Sequence, residues 1–142
     1  MLLVVDTNIV FSALLTRGNP LLFFELNSLL GSFECIAPEF LFFEIGNRVD
    51  KILKGSQYSK ENFIEVFSFI KKEIELIPLA TFKERMQEAL QKAPHEKDAP
   101  YVALALAFDC KIISGDKGLQ SRLPEKVIAP AEAVQLLLKK TL

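Results

Sequence analysis

Short apolar runs, each closed by a turn signal, alternate with longer stretches of helical period along the whole chain. That alternation leaves few folds open, because strands separated by helices pair in parallel through right-handed crossovers. The expected fold class is α/β: a three-layer α/β/α sandwich around a mostly parallel sheet of four or five strands. The run LLVV at 2–5 is continuously apolar, as in a strand covered on both faces. Residues 33–37, 111–114 and 127–129 read as further strands, and 76–79 as a short one that Pro78 confines to an edge or to its own end.

The intervening segments carry helix punctuation. Asp6-Thr7-Asn8 offers N-cap chemistry after the first strand, while Pro20 opens and Gly31 closes a helix over 21–30. Pro38 is expected to open one long helix to about Leu53, stopped near Gly55. Ser59 caps a helix through about Glu73, with Phe63, Phe67 and Ile70 at core spacing. Residues 81–92 give one amphipathic helix whose stripe is Phe82, Met86, Ala89 and Ala93. Asp98-Ala99-Pro100 has the form of an N-cap with proline in the first turn, and the VALALAF behind it is apolar all round, so that helix belongs at the centre. Pro130 starts a terminal helix that reaches Lys140. No repeat, low-complexity stretch or linker divides 1–142, which read as one domain.

Composition narrows the class of function. Of 142 residues half are hydrophobic, so a full core is affordable without staples, and disulfide scaffolds and disordered tails are excluded. Cys35 and Cys110 lie far apart with no CxxC or Cys/His spacing, which suits a reducing compartment, argues against structural zinc and makes them small buried hydrophobes. No apolar run reaches the ~18 residues of a membrane span, and the opening MLLVVDTN lacks a basic region, so a cytoplasmic location with no membrane contact is expected. The net charge of -1 leaves no broad electrostatic footprint for nucleic acid. Such a substrate would have to be inferred from the chemistry of a site.

The acids supply that chemistry. Asp6 ends the first strand, Asp98 opens the apolar helix, and Asp116 follows the strand over 111–114. In an open parallel sheet, sites form beyond the carboxyl ends of the strands where strand order reverses, so both strand-terminal aspartates point to one rim. Glu44 flanks a core stripe of Leu41, Ile45, Val49 and Ile52 and could face the same rim. Each acid also has a local explanation: Asp6 and Asp98 as caps, Asp116 as a turn residue, Glu44 as half of a surface pair with Arg48. Together they are harder to explain locally. Two like charges about 5 Å apart at an effective dielectric of about 20 repel by roughly 3 kcal/mol, so several carboxylates on one rim call for a cation. An all-oxygen donor set favours Mg²⁺ or Mn²⁺ over zinc, and such an ion can activate water and polarise a phosphoryl oxygen.

The opening LLVVDTNIVFSALL, the acid in FLFFEIGNRVDKI, the segment KDAPYVALALAFDCKIISGDKGL and the α/β alternation together resemble the PIN domain, the fold of the VapC-type toxin ribonucleases. The resemblance implies that Asp6, Glu44, Asp98 and Asp116 are the quartet that binds Mg²⁺ or Mn²⁺. It places Ser114 at a position where such domains carry a hydroxyl or amide. Asn8 would hold the Asp6 carboxylate through a side-chain hydrogen bond. Glu39, expected on the same helix as Glu44, competes for the second acidic position; a five-residue step rotates by about 140°, so only one of them can face the rim, and Glu44 is preferred. Glu96 and Asp109 are assigned to solvent.

The implied activity is metal-dependent endonucleolytic hydrolysis of single-stranded RNA, by the toxin of a toxin–antitoxin pair. Lys97, Lys117 and Arg17 are candidate phosphate contacts. His95 is set aside as a general base, because a metal route supplies its own nucleophile. Phe23, Phe24, Phe40, Phe42 and Phe43 crowd one region, and adjacent phenylalanines on a helix cannot all face one core. They suggest a homodimer interface or an apolar groove for an antitoxin helix, the alternative being a wide face buried within the monomer. A response-regulator receiver fits poorly because the third strand ends in no acid. A haloacid-dehalogenase-like phosphatase would want a second aspartate where Asn8 stands. The remaining rival is a PIN-like module that binds RNA or protein without cutting.

Overall fold

Five parallel strands form one sheet in the computed structural model, which describes residues 1–139. The chain runs β1 (Leu2–Val5), α1 (Thr7–Leu15), α2 (Asn19–Leu30), β2 (Glu34–Pro38), α3 (Leu41–Gly46), α4 (Val49–Gly55), α5 (Lys60–Glu73) and β3 (Ile74–Ile77). It continues through α6 (Leu79–Phe82), α7 (Met86–Lys92), α8 (Ala99–Phe108), β4 (Lys111–Ile113), α9 (Lys117–Arg122), β5 (Val127–Ile128) and α10 (Pro130–Lys139). The terminal helix is described as far as Lys139, and Lys140 lies outside the described residues.

The strand order is β3-β2-β1-β4-β5. The chain therefore moves outward from β1 to β3, then crosses back to the other side of β1. With right-handed crossovers this reversal puts the helices between β1 and β3 on one face and those leading to β4 on the other, giving the α/β/α sandwich. Central β1 is covered on both sides, and Leu3, Val4 and Val5 are buried as its continuous apolar run requires. On one face α8 packs on β1, β2 and β4, with α6 and α7 against it. Its residues Tyr101 to Ala105 are all buried, in keeping with an apolar surface all round.

The phenylalanines mostly resolve within the monomer. α2 is held between α1, α5 and α10, so its adjacent Phe23 and Phe24 both reach zero exposure, with ring centroids 5.5 Å apart in an edge-on arrangement. Phe40 and Phe42 are half-buried and only Phe43, at 72% exposed, stands out into solvent. For α2 the alternative of a face buried within the monomer holds, because that helix is covered on opposite sides. At its end, buried Asn27 bonds both backbone groups of Phe33, its Nδ2 donating to the carbonyl and its Oδ1 accepting from the amide, each at 2.9 Å. Gly31 closes α2 in the left-handed region at φ 64°, where glycine carries no Cβ penalty.

Two helices expected to be continuous are broken. Pro38 ends β2 instead of opening a helix, Glu39 and Phe40 form a turn, and α3 stops at Gly46 before α4 begins at Val49. The Arg48 amide bonds Ile45 O at 3.0 Å, a tightened three-residue turn that kinks the path while Leu41, Ile45 and Ile52 remain buried. Residues 81–92 similarly divide into the end of α6, a 3₁₀ turn Lys83–Arg85, and α7. Strand β3 occupies the sheet edge, as Pro78 requires, but two residues earlier than expected. The helix capped by Ser59 forms as expected, its hydroxyl accepting from the Asn62 amide at 3.2 Å. Cys35 and Cys110 are free; Cys35 is buried, its thiol pushed up to about 12 by burial, whereas Cys110 is half-buried. Among the described residues no single helix is long and apolar enough to cross a membrane.

Candidate active site

The reversal of strand order falls between β1 and β4, and the residues immediately after these two strands meet there. Asp6 follows β1, its amide donating to Ile113 O at 3.1 Å as the last rung between the strands. Ser114 follows β4, and its hydroxyl is used completely: it donates to Asp6 Oδ2 at 2.7 Å and accepts from the Asp116 amide at 3.0 Å and from Asn8 Nδ2 at 3.2 Å. Asn8 Oδ1 accepts from the Gly115 amide at 3.2 Å. Asn8 therefore reaches Asp6 through Ser114, not by the direct bond expected of it, and holds the loop that carries Asp116.

Asp6 stands at the N-cap position of α1 but makes no capping bond, and it is 5% exposed. Burial pushes its carboxyl up to about 6, against the lowering effect of the Ser114 hydrogen bond; the charges of Asp98 and Asp116 raise it further. Asp98 stands at the N-cap of α8 and likewise does not cap it. Its Oδ2 is buried without a hydrogen-bond partner among the described residues. Burial raises the Asp98 carboxyl, the Asp116 charge adds to this, and neighbouring His95 opposes it. Asp116 does serve as a cap, Oδ1 accepting from the Gly118 amide at 3.2 Å at the start of α9.

Glu44 lies on α3, where burial raises its carboxyl against the opposing charges of Arg48 and Lys97. Its link to the aspartates runs through Tyr101, a buried residue whose hydroxyl is hydrogen-bonded to Thr7 Oγ1. Burial pushes the Tyr101 phenol up, and the charges of Glu44, Asp6 and Asp98 push the same way. Glu39 lies before α3, where its Oε1 accepts from the Leu79 amide at 3.3 Å, so it belongs to the turn after β3. Asp109 is 98% exposed and faces Lys126 across 3.5 Å, and Glu96 is exposed.

Of the cations, Lys97 is exposed beside Asp98 and within electrostatic reach of Glu44, and Lys117 is exposed at the start of α9. Arg17 is not brought to the rim. It lies past the far end of α1, roughly 15 Å along the helix axis from Asp6 at about 1.5 Å per residue, with its guanidinium 5.7 Å from the Tyr58 ring centroid. Tyr101 is a site neighbour that the sequence reading did not single out, whereas Arg48, named there as a partner of Glu44, does act on that carboxyl. The signal for Tyr101 was its lone polar head at the start of an otherwise apolar helix, since a buried tyrosine hydroxyl needs a partner.

The three aspartates thus act on one another, and Glu44 acts on the tyrosine that Asp6 and Asp98 face. As they stand, no three His, Cys, Asp or Glu side chains among the described residues form a group that could hold a metal ion. A hydrated Mg²⁺ keeps several waters and takes one or two carboxylates directly, so a looser rim is compatible with it. The unpartnered Asp98 oxygen and the all-oxygen donor set fit such an ion.

An all-parallel α/β/α sandwich with aspartates following β1 and β4, where the strand order reverses, defines a recognisable class of domain. The family model described as PIN domain matches residues 4–126, and the chain belongs to that family. A search of curated proteins finds no match. Among solved structures, the chain is similar in fold to VapBC2 from Rickettsia felis bound to a DNA fragment from their promoter, with a TM-score of 0.62 and 14% identity, covering 91% of this chain and 98% of that one.

Proposed function

We propose that this protein is a Mg²⁺- or Mn²⁺-dependent endoribonuclease acting on single-stranded RNA, the toxin of a toxin–antitoxin pair. The observation that carries the reading is the buried, unpartnered carboxylate oxygen of Asp98, which stands within electrostatic reach of Asp6 and Asp116 where the sheet reverses. Asp6, Asp98 and Asp116 would hold the ion, with Glu44 completing the set from α3. Such an ion would supply charge neutralisation, a lowered pKa for water and stabilisation of charge on a phosphate. The protein supplies position. Ser114 and Asn8 fix the Asp6 carboxylate and the Asp116 loop together, so the acids keep their spacing when substrate arrives. Lys97 and Lys117, each beside a proposed ligand, would meet flanking phosphates.

Membership of the PIN family supports nuclease chemistry, and the fold shared with VapBC2 supports an antitoxin as partner. Homodimerisation and a cytoplasmic location complete the proposal, with exposed Phe43 beside Glu44 offering a second molecule an apolar contact at the rim. The test is cleavage of a labelled single-stranded RNA by nuclease-free protein. Cutting should require Mg²⁺ or Mn²⁺ and fall at least about 100-fold in Asp6→Asn and Asp116→Asn, the scale of losing transition-state charge stabilisation. Wild-type protein that binds RNA without any metal-stimulated cutting would instead favour a silent binding module.

A further inference from the structure

A cavity of about 590 Å³ lies between α1 and α4, lined by Phe11, Leu15, Arg48, Lys51, Ile52 and Gly55. Its position relative to the acids follows from helix periodicity. Thr7, Phe11 and Leu15 recur at four-residue intervals and so lie in one line along α1. Thr7 stands at the rim end of that line, bonded to Tyr101, and Leu15 at the other end, where a Cβ on Gly55 would stand 3.5 Å from its Cδ2. The groove therefore begins one helical turn past Thr7, the residue after Asp6, and leads away from the acids.

Its charge is of one sign. Both ionisable side chains in the lining, Arg48 and Lys51, are cations, in a chain whose net charge is -1. The Arg48 guanidinium lies 5.6 Å from the Phe11 ring centroid and also acts on Glu44, which joins the groove electrostatically to the rim. Cations beside a half-buried aromatic ring, on an apolar floor, are the parts with which proteins hold unpaired nucleotides: phosphates on the cations, bases stacked on ring and guanidinium. We infer that this groove is the track for the single-stranded RNA on one side of the cut. The inference rests on the nuclease reading above and assigns to it a surface that the Lys97, Lys117 and Arg17 expectations did not include.

The test compares wild-type protein with Lys51→Glu, with Lys54→Glu as a control from the same helix whose exposed side chain does not line the groove. The probe is a fluorescent oligouridine, followed by anisotropy across a salt series and by cleavage in Mn²⁺. Lys51→Glu should weaken binding about tenfold, lower the salt slope by about one and place its effect on KM, while Lys54→Glu stays within about twofold. Phe11→Leu should weaken binding about threefold or more with the salt slope intact, since stacking and not charge is lost. If wild-type protein cleaves while Lys51→Glu matches it in affinity and salt slope, the groove is not the RNA track and an apolar helix of a protein partner becomes its better occupant. Wild-type protein that neither binds nor cuts RNA overturns the nuclease reading and this inference together.

Discussion

Removing the negative charge of Asp6 should make the metal-free protein more stable. Asp6 titrates at about 6 in the fold against an ordinary 3.8, because burial opposes its charge and two more aspartates repel it. At about 1.4 kcal/mol per tenfold change in proton affinity, this gap corresponds to roughly 3 kcal/mol. The folded state holds the proton more tightly than the unfolded chain, so this stability is fully present below the unfolded value and disappears as pH rises through about 6. In Asp6→Asn the charge cannot form. For a chain of this size, roughly 3 kcal/mol corresponds to about 6–12 °C in Tm. Thermal unfolding followed by circular dichroism in EDTA, from pH 4 to pH 8, should show Asp6→Asn melting above wild type by that order near pH 7, the gap closing towards pH 4. Saturating Mn²⁺ should raise the wild-type Tm and leave the variant nearly unmoved, since the ion stabilises only the form that binds it. Parallel profiles for the two proteins in EDTA would refute the burial argument, and an equal Mn²⁺ shift would remove Asp6 from the site.

Ser114→Ala deletes the hydrogen bond that holds the Asp6 carboxyl down, so the acid limb of the pH–rate profile should move to higher pH and Mn²⁺ titration should show weaker binding; an unmoved limb would count against this role for the hydroxyl. Asn27→Leu removes the two hydrogen bonds that this side chain makes to the Phe33 backbone and should cost about 2–4 kcal/mol in urea denaturation, and a loss below about 0.5 kcal/mol would show that those bonds contribute little net stability.

What the sequence made legible were the elements whose signals are local. The apolar run of β1, the Ser59 cap of α5, Gly31 at the end of α2 and the all-apolar α8 each follow from a few adjacent residues. The breaks after Gly46 and around Lys83–Arg85 escaped for a common reason: the buried stripe continues across each kink, so periodicity reports the face and not the axis. At the rim, the side chains of Asp6 and Asp98 sit in capping positions without capping, and what surrounds them instead comes from elsewhere in the chain: Ser114 after β4 bonds Asp6, and the charge of Asp116 acts on Asp98. The distinction between Glu39 and Glu44 likewise turned on β3, because the Leu79 amide after that strand occupies Glu39. Arg17 was misplaced because nearness to the first helix in sequence ignores which end of that helix faces the acids.

The pairing of β1 with β4 joins segments that lie more than a hundred residues apart, Leu3 standing opposite Lys111. During synthesis Asp6 is made before Asp98, Ser114 and Asp116, and it has neither the hydroxyl that orients it nor the charges beside it until that later segment has emerged. A chain that stops between the two strands thus carries the DTN segment without the neighbours that surround it in the fold, so a partial product displays the motif but not the arrangement.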